Sequence, residues 1–249
     1  MAGRRFLVFD IETIWDRTLL AQVLGVPPDA GFDALREQVM LKYSGGFPPP
    51  LFHIPVCIAM IDVDVGDNQI CNATVLESPE EKTLLQQFWK VVQFRKGNNP
   101  VRTTLVHFNG RGFDLPVLFY RSLKHRIRVM TLEDRSRFSF ESSHDICDDL
   151  SDFGASGRPS LDALAKMLGL PGKTDTHGWQ VEELYEKGER ARIRDYCMDD
   201  ALSTYYVWLT LRLVRGQISE EKYHQAFDGA AEAVRNCRVK TDGFFTSGQ

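Results

Sequence analysis

Apolar positions fall into two kinds of block along the chain. Arg4–Phe9 runs apolar after two arginines and reads as a buried strand that ends in Asp10, Ile11, Glu12 and Thr13. Residues 15–53 are irregular, with one helical stretch near Phe32–Tyr43 and a run from Pro48 to Pro50 that is incompatible with a helix interior. Val56–Val65 and Ile70–Leu76, separated by Gly66-Asp67-Asn68-Gln69, predict a hairpin. Glu80–Arg95 carries Leu84, Leu85, Phe88, Val91 and Val92 at helical spacing and stops at Gly97-Asn98-Asn99-Pro100. Thr103–Phe108 predicts another strand. Asp114–Lys124 predicts a helix that tolerates Pro116 in its first turn. Short helices follow at Arg158–Leu168 and Trp179–Lys187, then a long one from Glu189 to Val214 and a last one from about Ser219. Strands come first, then strand and helix mixed, then helices. That order predicts an α/β fold on a mixed central sheet, antiparallel at its start and parallel where helices intervene. The expectation is a single domain over 1–249, with a motif-bearing core of about 6–216 and a helical C-terminal extension of about 217–249.

Composition narrows the class. Of the 249 residues, 43% are hydrophobic and 26% charged, which excludes collagen-like, coiled-coil and mostly disordered chains. The apolar run after the two arginines is too short for a signal sequence, and no run is long enough to cross a bilayer. A cytoplasmic protein without membrane contact is therefore expected. With 30 Lys+Arg against 34 Asp+Glu the net charge is −4, so any nucleic-acid contact must be local and assisted by cations. Cys57, Cys71, Cys147, Cys197 and Cys237 form no C-x-x-C pair, which argues for reduced, packing thiols.

Acids sit where acids are costly. In a strand Asp10 and Glu12 point the same way, and two carboxylates that close repel unless they face water or share a cation. Hard oxygen donors select Mg²⁺ or Mn²⁺ over zinc. Asp114 follows the loop Phe108–Phe113; taken alone it reads first as a helix N-cap. In the long helix Tyr196 and Asp200 share a face, and periodicity alone does not choose between Asp199 and Asp200. The dense cluster His144–Asp149 is assigned capping and loop hydrogen bonds or support of the site, with no catalytic role. Arg121–Arg137 holds six Arg/Lys and two acids, a local excess that reads as a phosphate track through Arg126 and Arg128 or as a solvated helix end.

Taken in order, these segments resemble the DEDD superfamily of 3′–5′ exonucleases, in its tyrosine subclass. Its D-x-E motif is matched by Asp10 and Glu12. Its N-x-x-x-F-D motif is matched by Asn109, Phe113 and Asp114, and its Y-x-x-x-D motif by Tyr196 and Asp200, a spacing that selects Asp200 over Asp199. With SLDALAKMLGLPGK between the motifs, the chain is similar from Phe6 to about Gly216 to prokaryotic predicted exonucleases related to the exonuclease domain of family B DNA polymerases. That group also carries an insert such as Trp15–His53.

The resemblance implies a ribonuclease H-like fold and two divalent ions, Mg²⁺ or Mn²⁺, held by Asp10, Glu12, Asp114 and Asp200. It further implies that Asp10 bridges both ions, that Glu12 and Asp200 serve the ion activating water, and that Asp114 serves the other through ordered water. Tyr196, neutral, orients the attacking water. Thr13, Ile14 and Asn109 position the terminal nucleotide. The implied substrate is the 3′ end of a single-stranded nucleic acid, DNA ahead of RNA, and the product a nucleoside 5′-monophosphate; protein partners are not indicated. An RNA-preferring exonuclease of the same fold, or a catalytically silent nucleic-acid-binding module, are the alternatives. A haloacid-dehalogenase-type phosphatase is disfavoured because Glu12 stands where D-x-D-x-T requires Asp.

Overall fold

A computed structural model of the chain describes residues 4–27, 29–93, 95–96, 99–100, 102–129, 140–170 and 180–238. The first strand, β1 (Arg4–Trp15), is followed by helices α1 (Arg17–Leu24) and α2 (Gly31–Lys42). Then come β2 (His53–Val63), β3 (Ile70–Glu77) and α3 (Glu81–Val92). Two-residue strands β4 (Arg95–Lys96) and β5 (Asn99–Pro100) pair with each other. Next in the chain are β6 (Arg102–His107), α4 (Asp114–His125), β7 (Ser143–Asp145) and α5 (Ile146–Leu150). The chain ends in α6 (Leu161–Met167), α7 (Val181–Glu186), α8 (Arg190–Val214) and α9 (Glu220–Arg238).

The central sheet has five strands in the order β3-β2-β1-β6-β7. β1–β2 and β2–β3 are antiparallel, while β1–β6 and β6–β7 are parallel. This is the mixed sheet expected from the hairpin followed by helix-connected strands.

Alternation along β1 separates two cores. Phe6 and Val8 join the cluster that contains Tyr205, Trp208 and Leu209 of α8 and Ala226, Ala230 and Val234 of α9. Leu7, Phe9 and Ile11 join Leu84, Leu85, Phe88 and Trp89 of α3 and Val117 and Leu118 of α4. Asp10 and Glu12 have the parity of Phe6 and Val8, so they continue the face that α8 covers.

Between β1 and β2 the chain makes an insert with its own small core of Leu20, Leu35, Val39 and Phe52. Ionic contacts fasten it to the sheet layers. Arg121 of α4, buried, joins Asp16 at 2.6 Å and also Glu81 of α3. Glu182 of α7 accepts from the Trp15 backbone at 3.0 Å and from Arg17.

Several boundaries differ from the sequence reading. β1 does not stop at Phe9 but continues through the acids to Trp15, because β2 pairs with it over that whole length, with a register shift between Glu12 and Thr13. Helix α1 lies where an irregular stretch was expected; Asp16 caps it by accepting from Leu19 N at 3.1 Å, and Gly25 ends it at φ 69°. β7 and α5 were not anticipated, since Ser143-His144-Asp145 has no apolar alternation. The expected helix start at Trp179 and the part of the basic segment at 130–137 lie outside the described residues. Among the described residues no helix is long and apolar enough to cross a membrane.

Candidate active site

β1 loses its parallel neighbour early: its pairing with β6 ends at Val8↔Val106, whereas its pairing with β2 continues past Asp10↔Ala59 and Glu12↔Cys57. The carboxylates therefore stand beyond the carboxyl end of β6, at the crevice where open α/β sheets place their sites. Helix α8 crosses above. The Cys197 thiol of α8 donates to the Asp10 carbonyl at 3.4 Å and lies 3.9 Å from Asp10 Oδ2. Ligand atoms of Asp10, Glu12 and Cys197 all fall within 4.8 Å of one another.

Asp114 reaches the same place from the other side. It is the first residue of α4, and Phe113 occupies the cap position without a side-chain hydrogen bond, so the N-cap reading of Asp114 does not hold. Its carboxylate is buried and accepts backbone N–H groups from itself and from Ile11, on the stretch of β1 beyond β6. Burial, above all, together with the charges of Asp145 and Asp200, pushes its pKa up to about 7.

One turn along α8 from each other, Tyr196 and Asp200 are both buried, whereas Asp199 is half-buried. The Tyr196 hydroxyl donates to Asp200. Burial first, then the charges of Asp200, Glu12 and Asp10, raise the phenol above its ordinary range, so Tyr196 stays a neutral donor. Burial also keeps Cys197 a thiol, reinforced by its contact with Cys57.

Asp10, Glu12, Asp114 and Asp200 line one cleft of about 670 Å³, together with Asn109 and, from the insert, Lys42 and Phe47. A second cavity of about 520 Å³ shares Glu12, Phe47 and Phe113 with it and is bordered by Thr13 and Trp15. All four acids offer hard oxygen donors, and the charges of Asp145 and Asp200 add to the burial that raises Asp114. That donor set fits divalent cations of the Mg²⁺ or Mn²⁺ kind.

The loop between β6 and α4 is held from beneath. Asp145 Oδ1 accepts from Asn109 N at 2.9 Å and Oδ2 from Arg111 N at 2.9 Å, while Oδ1 also caps α5 through Cys147 N and Asp148 N. The His144–Asp149 cluster therefore does the capping and support work that the sequence suggested. Asn109 adopts a left-handed backbone at φ 58°, which Asn tolerates, and its Oδ1 accepts from Arg158 at 2.8 Å. Gly110 is required by close approach: a Cβ there would sit 2.6 Å from the His107 ring.

Of the other expected substrate contacts, Thr13 Oγ1 bonds His53 Nδ1 at 2.9 Å and Ile14 pairs with Ile54 in the sheet. Arg126 closes the opposite end of the 12-residue α4 from Asp114, roughly 18 Å away at 1.5 Å per residue, and Arg128 lies just beyond it. Neither is among the described residues that line the cleft. Lys42, Phe47, Cys197 and Arg158 were not singled out from the sequence. Only Cys197 carried a signal, its place between Tyr196 and Asp200 on a buried helix.

A family model described as "Predicted 3'-5' exonuclease related to the exonuclease domain of PolB" matches residues 45–245. The matched span holds Asn109, Asp114, Tyr196 and Asp200; Asp10 and Glu12 precede it and reach the cleft through β1. No curated protein matches the chain.

Proposed function

The chain belongs to the family of predicted 3′–5′ exonucleases related to the exonuclease domain of PolB, and from that membership we propose that it removes nucleotides from the 3′ end of single-stranded DNA. Nucleoside 5′-monophosphates are the products, and the chemistry depends on two divalent ions. The observation that carries this reading is the convergence of Asp10 and Glu12 of β1, Asp114 of α4 and Asp200 of α8 on one cleft. We read 1–249 as one exonuclease domain, with α9 as an extension packed on α8 through contacts such as Tyr206 with Phe227, 4.6 Å apart.

Asp10, Glu12, Asp114 and Asp200 would hold the ions, which when bound activate water and stabilise negative charge on the leaving 3′-oxygen. The chain's own groups do the rest. Buried Tyr196 remains protonated and presents its hydroxyl beside Asp200, where it orients the attacking water without removing a proton. Asn109, fixed between Asp145 and Arg158, presents its side chain to the sugar of the terminal nucleotide. Because Asp114 without a cation is raised to about 7, cation binding and its deprotonation are coupled, and at limiting cation concentration activity should climb as pH rises through neutrality.

The test is incubation of end-labelled single-stranded DNA and RNA with Mg²⁺, Mn²⁺ or chelator. A ladder shortening from the 3′ end, faster on DNA and absent in chelator, is the expected result. Faster trimming of RNA would move the substrate assignment, and no metal-dependent shortening of either would overturn the reading.

A further inference from the structure

The insert places an aromatic ring and a cation in the catalytic cleft, and neither has an assigned role. Phe47 is 57% exposed, unusual for a phenylalanine beside so much available core. It lines both the carboxylate cleft and the adjoining cavity of about 520 Å³, so the ring stands on the boundary between them. Its inner side packs on His53 at 4.8 Å and Phe113 at 5.3 Å between ring centroids. The segment carrying it is stiff. Pro48, Pro49 and Pro50 follow directly, and His53 Nε2 donates to the Pro48 carbonyl at 3.0 Å. A ring so held loses little freedom when something flat settles on its open side.

The adjoining cavity offers apolar contacts to a flat guest within a lining that is otherwise polar and charged. Trp15, Phe32, Met40 and Phe113 contribute to its wall. Three of its carboxylates are already engaged, Glu182 and Glu186 with Arg17 and Glu183 with Lys187, while Arg36 and the proposed metal ligand Glu12 also line it. Lys42, in the last turn of α2, lines the carboxylate cleft and has no ion-pair partner among the described residues. A cation at the mouth of a cleft lined by acids points to an anion brought in from outside.

Resting on the exonuclease reading, we propose that the insert forms a subsite for the substrate's 3′-terminal nucleotide: the base stacks on Phe47 and enters the adjoining cavity, while Lys42 meets a backbone phosphate. An aromatic face accepts any base, so the subsite is sequence-tolerant. It selects for single strands, because a base still paired and stacked in a duplex cannot lie on Phe47 without first being freed.

The test compares an oligothymidylate with the same strand ending in an abasic 3′ nucleotide, trimmed in Mn²⁺ by wild type, Phe47→Ala, Phe47→Trp and Lys42→Ala. Wild type should show a KM for the abasic end raised roughly 5- to 150-fold, the range of one base–aromatic stack. Phe47→Ala should raise KM for the ordinary end by a similar factor and lose most of the discrimination between the two ends. Phe47→Trp should keep it, and Lys42→Ala should lower the salt slope by about 0.7, one phosphate's worth on a single strand. A merely structural ring would penalise both ends alike in Phe47→Ala and leave their ratio as in wild type, which overturns the proposal. So does a wild type that trims both ends with one KM. A wild type inactive on every strand would instead bring down the exonuclease reading on which the subsite depends.

Discussion

Asp145→Asn removes one oxygen from a side chain that touches no substrate, and its cost can be worked from the contacts. Asp145 is 1% exposed. Its Oδ1 serves Asn109 N at 2.9 Å, Cys147 N at 3.1 Å and Asp148 N at 3.3 Å, and its Oδ2 serves Arg111 N at 2.9 Å. An asparagine that keeps its oxygen on the three-donor side turns its NH₂ toward the Arg111 N–H, a donor facing a donor. The loss is one hydrogen bond to a charged acceptor, about 1.5–3 kcal/mol. For a chain of this size that corresponds to a fall in Tm of roughly 3–12 °C. The Asn109–Arg111 loop also sets the start of α4, where Leu115 N bonds the Gly110 carbonyl at 2.8 Å, so trimming should slow as well. Thermal unfolding followed by circular dichroism in chelator, alongside single-turnover trimming at 25 °C, measures both. Asp228→Asn, at an exposed position in the middle of α9, controls for the loss of one charge. If Asp145→Asn melts and cleaves like that control, the loop is held by something else.

Chelator or Asp10→Ala should abolish trimming while the protein stays folded, because removing an acid from a crowded carboxylate group relieves repulsion; activity persisting in either would remove the two-ion mechanism. Tyr196→Phe should slow the single-turnover rate by up to about 10²-fold with little change in Mn²⁺ titration, and a wild-type rate would withdraw the tyrosine from the chemistry. Charge reversal at Arg126 and Arg128 should lessen the salt dependence of strand binding, and an unchanged slope would place the phosphate track elsewhere. Burial holds His53 and His107 down at about 4, below their ordinary 6.5, so their stability contribution is complete above pH 6.5 and falls away as pH drops toward 4. Asp114, raised from 3.8 to about 7, opposes them between those values, since its stabilising term grows as pH falls. His53→Gln should lessen the loss of stability on acidification, read as a smaller fall in urea midpoint between about pH 6 and about pH 4.5 than in wild type.

The grouping of the acids in one cleft was legible because their spacings carry geometry: Asp10 and Glu12 share a strand face, and Asp200 stands one helical turn from Tyr196. The strand–helix order was legible because buried strands and amphipathic helices differ in period. Helix α1 escaped notice because its apolar residues pack on the insert and not on the sheet, so the capping residue Asp16 was its only clear sign. β7 was missed because its burial is polar: His107 Nε2 meets Ser143 Oγ at 2.8 Å beneath the loop, a pairing no hydrophobic pattern announces. Phe47 and Lys42 belong to a stretch whose meaning lies in the cavity it borders, and spacing along the chain carries no trace of that.

The sheet's central strand precedes every strand it pairs with. β6, its parallel neighbour, begins only at Arg102, so the apolar run Phe6–Phe9 has to wait through much of synthesis without a partner on that side. Unpaired apolar strands of this kind aggregate, and flanking charges restrain them. Here the run is bracketed by Arg4 and Arg5 before it and by Asp10 and Glu12 after it. The residues proposed for catalysis in the finished fold should thus also limit aggregation of the nascent chain. An inactive variant made as Asp10→Ala lengthens the unprotected run to Ile11, whereas Glu12→Gln leaves the nearer charge in place. The two should therefore differ in what reaches the soluble fraction, even though both remove a proposed ligand.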